Sequence, residues 1–140
     1  MGSCYNTAVI EAPIDAVWET IGDFHDLAWA AGVIDNVEPG GPDGKTPGAT
    51  RVLDEKFHET LISVDDEAKT FSYSIDDGPA PLLKESVSEY VGTVRLRPVT
   101  ENDATFVEWE TCFTADDEEA VAAFCNPIYV ELLKALKSRF

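Results

Sequence analysis

Residues 115–140 read ADDEEAVAAFCNPIYVELLKALKSRF, and the spacing within them decides the fold class. At helical period, Val121, Phe124, Ile128, Leu132 and Leu136 fall three or four apart and form one apolar stripe. Glu118, Glu131, Lys134 and Lys137 fall mainly away from it. Acids crowd the start (Asp116 to Glu119) and bases the end (Lys134, Lys137, Arg139), the sense that the helix dipole favours. Asp116, three residues before Glu119, resembles a capping box with Asp in place of the usual Ser or Thr. Pro127 removes one backbone donor and presses on the turn before it, which predicts a bend near Ala123. A long amphipathic helix of this kind needs something to cover, and the preceding residues have to supply it.

They supply strands. Working back from the helix, Thr105–Thr114, Ser86–Val99, Thr70–Ile75, Lys56–Val64 and Ala49–Leu53 have a period of two and are parted by acidic or Gly/Pro turns. Pro39 to Gly48, with four glycines and three prolines, reads as a loop. It contains Gly44-Lys45-Thr46, but Pro39 stands where a phosphate loop needs its first glycine, and Pro47 blocks the helix that should follow. Phe24–Ile34 and Ile14–Gly22 read as two short helices, and Cys4–Ala12 as a first strand ended by Pro13. The order is strand, two short helices, a run of hairpin-linked strands, then the long helix. That is an antiparallel α+β architecture with the helix on one face of the sheet.

Alternation assigns most of the inner face. Thr105, Val107, Trp109, Thr111 and Phe113 share one side of the last strand, while two carboxylates occupy the other. Phe71, Tyr73 and Ile75 point inward by the same logic, as do Tyr90, Gly92, Val94 and Leu96. The strand of Phe57, Glu59, Leu61 and Ser63 has no clean face. If Phe57 and Leu61 point in, Glu59 goes with them, and a buried carboxylate is costly unless paired, hydrated or protonated. The opposite register puts Glu59 on the surface, and alternation leaves both open.

At 140 residues the chain is expected to form a single domain, 1–140, able to bury a core without staples. The net charge of −17, from 27 acids against 10 bases, weighs against nucleic acid or anionic membrane as a partner. No run approaches a membrane span, so stable membrane insertion is not expected. Met1 leads into Ser3 and Cys4 without the regions of a secretion signal. Three cysteines, an odd count with no close pair, argue against a disulfide framework and suit a reducing cytoplasm. Oligomeric state is not legible.

Several motifs carry a resemblance. Ala12-Pro13-Ile14-Asp15-Ala16-Val17-Trp18 with Ile21-Gly22-Asp23-Phe24 resembles the opening of the helix-grip (START/Bet v 1-like, SRPBCC) superfamily. Gly48-Ala49-Thr50-Arg51, Glu59-Thr60-Leu61 before Asp65-Asp66-Glu67, Tyr73-Ser74-Ile75 before Gly78, and Thr105-x-Val-x-Trp109 extend it over nearly the whole chain. Within the superfamily the chain is most similar to the polyketide cyclase/dehydrase and lipid-transport group, a relative of the plant abscisic-acid receptors. The resemblance implies a curved antiparallel sheet wrapped around the long C-terminal helix, with a hydrophobic cavity between them. It further implies that Glu59, Leu61, Tyr73, Ile75, Tyr90, Trp109, Phe124, Ile128 and Leu132 line that cavity, and it favours the inward register for Glu59. The receptors' ligand-clamping lysine is replaced by an acid near Asp35, and their gate and latch loops have no match in Asp76–Lys84.

No metal or cofactor is expected, since His25, His58 and the scattered cysteines lack ligand spacing. The candidates for acid/base chemistry are Glu59, Tyr73 and Tyr90, because a carboxylate in an apolar cavity has its pKa raised and tyrosine hydroxyls can hold an oxygen. Arg51 could instead pair with Glu59 and make it structural. The expected function is binding or carrying an apolar small molecule such as a lipid, aromatic or polyketide-like compound. The alternatives are a cyclase or dehydratase using the same cavity, and an interaction domain acting through its surface.

Overall fold

The computed structural model describes the whole chain, Met1–Phe140. Seven strands form one antiparallel sheet: β1 (Gly2–Ile10), β2 (Val37–Gly40), β3 (Thr50–Leu53), β4 (Phe57–Asp65), β5 (Thr70–Asp77), β6 (Val87–Val99) and β7 (Ala104–Ala115). Their order is β1-β7-β6-β5-β4-β3-β2, so β2 to β7 make a continuous meander. Strand β1 pairs with β7, from Gly2 opposite Phe113 to Ile10 opposite Thr105, and so closes the far edge with the first residues of the chain. Helix α1 (Ile14–Ile21) buries Val17, Trp18 and Ile21, and helix α2 (Glu118–Arg139) packs on the sheet chiefly along β1. This antiparallel sheet with a long helix on one face is the α+β architecture that the element order predicts, and its curvature around the helix is the helix-grip form that the resemblance implies.

Four local expectations change. The second short helix reduces to a single 3₁₀ turn at Ala28–Ala30, because Gly32 adopts a left-handed φ of 92° just beyond it. Part of the expected Pro39–Gly48 loop belongs to a strand: β2 pairs with β3, with Pro39 opposite Arg51. Its proline costs little there, since β2 is an edge strand and needs no donor on its outer side. The cap of α2 is Asp117 rather than Asp116; its side chain accepts from the Ala120 amide at 3.0 Å. Glu118 accepts from the Ala115 amide at 3.3 Å.

The fourth change bears on the interior. Helix α2 runs unbroken through Pro127, but its buried residues are Val121, Cys125, Tyr129, Leu132, Leu133 and Leu136. Phe124 and Ile128 are only half-buried, so the helix is turned about its axis relative to the expected stripe. The inner-face assignments for β5, β6 and β7 hold: Phe71, Tyr73, Tyr90, Val94, Leu96, Val107, Trp109 and Phe113 are all buried. No helix is long and apolar enough to cross a membrane, and the three cysteines are free.

Candidate functional site

Between α2 and the sheet lies a cavity of about 40 Å³, counted as the space that the centre of a water molecule can reach. That is room for about two or three waters. Its wall takes Leu27 and Ile34 from the connection between α1 and β2, Arg51 and Leu53 from β3, and Phe57 and Glu59 from β4. Tyr73 and Ile75 come from β5, Trp109 from β7, and Cys125, Ile128, Tyr129 and Leu132 from α2.

The charged part of the wall is one ion pair. Arg51 and Glu59 are register partners on adjacent strands, so both side chains leave the sheet on the same face. Arg51 Nε and Nη2 each lie 2.8 Å from Glu59 Oε1, and Nη1 donates to the Phe24 carbonyl at 3.0 Å. The guanidinium also lies 3.8 Å from the centroid of the Phe24 ring, a cation–π contact. Exposure is 5% for Arg51 and 6% for Glu59, which settles the register left open by alternation in favour of an inward Glu59. Farther along β4 a bulge between Leu61 and Ser63 breaks the alternation and returns Ser63 to solvent. Burial pushes the Glu59 carboxyl above the usual carboxylate range, and the Arg51 guanidinium pulls it back.

The neutral part is a hydrogen-bonded chain of aromatic residues. Trp109 Nε1 donates to Tyr73 Oη at 3.0 Å, Tyr73 Oη lies 3.1 Å from Tyr129 Oη, and Tyr129 Oη lies 2.5 Å from Tyr90 Oη. Burial drives all three phenols far above the ordinary tyrosine range, so they remain protonated and act as donors and acceptors, not as bases. Three phenol protons serve two bonds between phenols, and the Cys125 sulfur beside Tyr90 is an acceptor for the third. Gly92 makes the arrangement possible: it stands opposite Tyr73, and a Cβ there would lie 2.6 Å from the Tyr73 hydroxyl oxygen. The Cys125 thiol, pushed up to about 11 chiefly by burial, stays uncharged at neutral pH.

Of the residues expected at the site, Glu59, Tyr73, Ile75, Trp109, Ile128 and Leu132 are brought together on the cavity wall. Three are not. Leu61 is buried in the sheet opposite Tyr73. Tyr90 stands behind the wall, its ring stacked on Phe113 with centroids 5.3 Å apart and its hydroxyl on Tyr129. Phe124 stacks on Phe57 at 6.3 Å, outside the lining set. The sequence reading missed Tyr129 and Cys125, which lie at helical spacing on a second stripe beside the chosen one (Val121, Cys125, Tyr129, Leu132, Leu136). Leu53 was signalled by its two-residue offset from Arg51, whereas Leu27 and Ile34 had no periodic signal. His58 faces solvent, and His25 Nε2 lies 3.2 Å and 3.0 Å from the Gly40 and Thr50 carbonyls, tying its loop to β2 and β3.

Known proteins with this architecture share the arrangement of sheet and helix. The family described as "Polyketide cyclase / dehydrase and lipid transport" matches residues 1–140. A protein from Nitrosospira multiformis of known structure is 37% identical, with 99% of this chain and 95% of that one covered and a TM-score of 0.94. Ginseng major latex-like protein 151 from Panax ginseng is 15% identical, with 99% and 96% covered and a TM-score of 0.77. Norcoclaurine synthase from Thalictrum flavum, in complex with dopamine and hydroxybenzaldehyde, is 19% identical, with 97% and 84% covered and a TM-score of 0.74. The last two are likenesses of fold alone. No curated protein matches the sequence.

Proposed function

The chain belongs to the polyketide cyclase/dehydrase and lipid-transport family of the Bet v 1-like helix-grip superfamily, and from that premise we propose that it binds a small, largely apolar molecule in the cavity under α2. The observation that carries this reading is the composition of the wall. Eleven of its 13 residues are hydrophobic, the charges are confined to the Arg51–Glu59 pair, and the other polar groups are the Tyr73 and Tyr129 hydroxyls, the Trp109 indole and the Cys125 thiol. An apolar cavity with a few convergent polar groups is the usual form of a small-molecule site.

Size narrows the ligand class. A dry cavity of about 150 Å³ is needed to hold benzene, several times the free space present. The wall must therefore yield on binding. Leu27 and Ile34 lie on a connection that belongs neither to the sheet nor to α2, and they are the part able to yield at least cost. A displacement of that size suits a small aromatic better than an acyl chain.

Displacement of the neutral dye N-phenyl-1-naphthylamine by small aromatics tests the proposal. Saturable, displaceable binding is expected, weakened about tenfold or more by Trp109→Ala, since a buried aromatic anchor contributes at least that much. Absence of saturable binding by dye, aromatics and fatty acids alike would overturn it.

A second reading is favoured by the Tyr73 and Tyr129 hydroxyls standing on the same wall as the Glu59 carboxyl. Tyr73 or Tyr129 could donate to a substrate carbonyl oxygen while Glu59 accepts a proton, as cyclisation or dehydration requires. In that case one of Tyr73→Phe and Tyr129→Phe abolishes turnover of a polyketide-like substrate while binding survives.

A further inference from the structure

We infer that the cavity selects neutral ligands carrying a hydroxyl group and discriminates against carboxylic acids; this rests on the binding reading above and specifies its ligand class. Both of the close Arg51 contacts fall on a single oxygen of Glu59, Oε1. No other residue donates to Glu59, and its side chain lines the cavity, so Oε2 is left to whatever occupies that space. A carboxylate oxygen on a buried residue needs a donor, and a ligand hydroxyl supplies one.

The same geometry disfavours an anionic ligand. Arg51 is the only cation on the wall, and each of its three nitrogens already has a partner, Nε and Nη2 on Glu59 and Nη1 on the Phe24 carbonyl. Its charge is matched by Glu59, and the Phe24 ring covers one face. A carboxylate entering this space would face the Glu59 carboxylate with no free counter-charge and would carry its full desolvation cost. The remaining titratable wall groups, Tyr73, Tyr129 and Cys125, are held uncharged by burial and can solvate an oxygen without neutralising an anion.

Three probes of similar shape separate the possibilities: toluene, 4-methylphenol and 4-methylbenzoate, titrated against the full chain by calorimetry or amide NMR at neutral pH. The phenol is expected to bind about tenfold or more tightly than toluene, the worth of one hydrogen bond to a charged acceptor. The benzoate is expected to bind more weakly than toluene. In Arg51→Met/Glu59→Leu, which replaces the pair by apolar side chains, the advantage of the phenol over toluene disappears. In Glu59→Gln the guanidinium is left unmatched and the benzoate gains at least tenfold relative to the phenol. The double variant keeps the test decisive if the single one does not fold. A wild-type protein that prefers the benzoate, or a double variant that retains the phenol preference, overturns the inference while the binding reading stands. Failure of all three probes together with the dye overturns both.

Discussion

The two polar clusters under α2 sit across one cavity and are built on opposite principles. The Arg51–Glu59 pair joins two formal charges through short contacts between neighbouring strands. The Trp109–Tyr73–Tyr129–Tyr90 chain joins neutral groups from three strands and the helix, each worth little alone. Taking charges out of water costs several kcal/mol per ion, so the pair is tolerable only while both members are present. A phenol that loses one neighbour forfeits about one hydrogen bond. One cluster is therefore brittle and local, and the other forgiving and spread over the fold.

The largest expected effect comes from breaking that contrast on the charged side. Glu59→Leu alone should lower stability by about 3–5 kcal/mol in urea denaturation, because it strands the buried guanidinium. Adding Arg51→Met should restore most of the loss, and a double variant no more stable than the single would show that the charges are not coupled as the geometry requires. On the neutral side, Tyr129→Phe should cost about 1–2 kcal/mol, since it leaves both flanking hydroxyls short of a partner. Tyr90→Phe, at the end of the chain, should cost less. Equal losses for the two would remove Tyr129 from its central place.

The smallest effect is in the pH dependence of stability. Burial raises the folded-state pKa of Glu59 above its ordinary 4.5, so the folded protein holds this proton longer than the unfolded chain. The stability contributed by that difference is present below the ordinary value and is lost as pH rises through the raised one. Wild type should therefore lose stability relative to Arg51→Met/Glu59→Leu as pH climbs from about 4.5 upward. A difference that is flat, or that grows in favour of wild type, would reverse the direction assigned to Glu59. The neutral cluster contributes nothing in this window, because its phenols do not ionise there.

Legibility in the sequence followed the same division between local and long-range causes. Six of the seven strands, both regular helices and the inner faces of β5, β6 and β7 could be read from periodicity, because a strand or helix half-buried against a core repeats its pattern in every turn or pleat. Strand β2 could not: its four residues, Val37–Gly40, contain a proline and a glycine and are held in the sheet by β3 alone. The helix stripe was ambiguous by one residue, since Phe124 and Ile128 have the same spacing as Cys125 and Tyr129.

The sequence by itself determined that a long helix would cover an antiparallel sheet, and it brought Glu59, Tyr73 and Trp109 forward as residues to watch. Tertiary structure decided the rotation of α2 that places Tyr129 between Tyr73 and Tyr90, the inward register of Glu59, and its pairing with Arg51. The physical reason is that local pattern reports how much of each element is buried, whereas the facing partner is set by packing between segments far apart in the chain. The hydroxyls of Tyr73 and Tyr129 meet across 56 residues of sequence, and no periodicity within either segment encodes that distance.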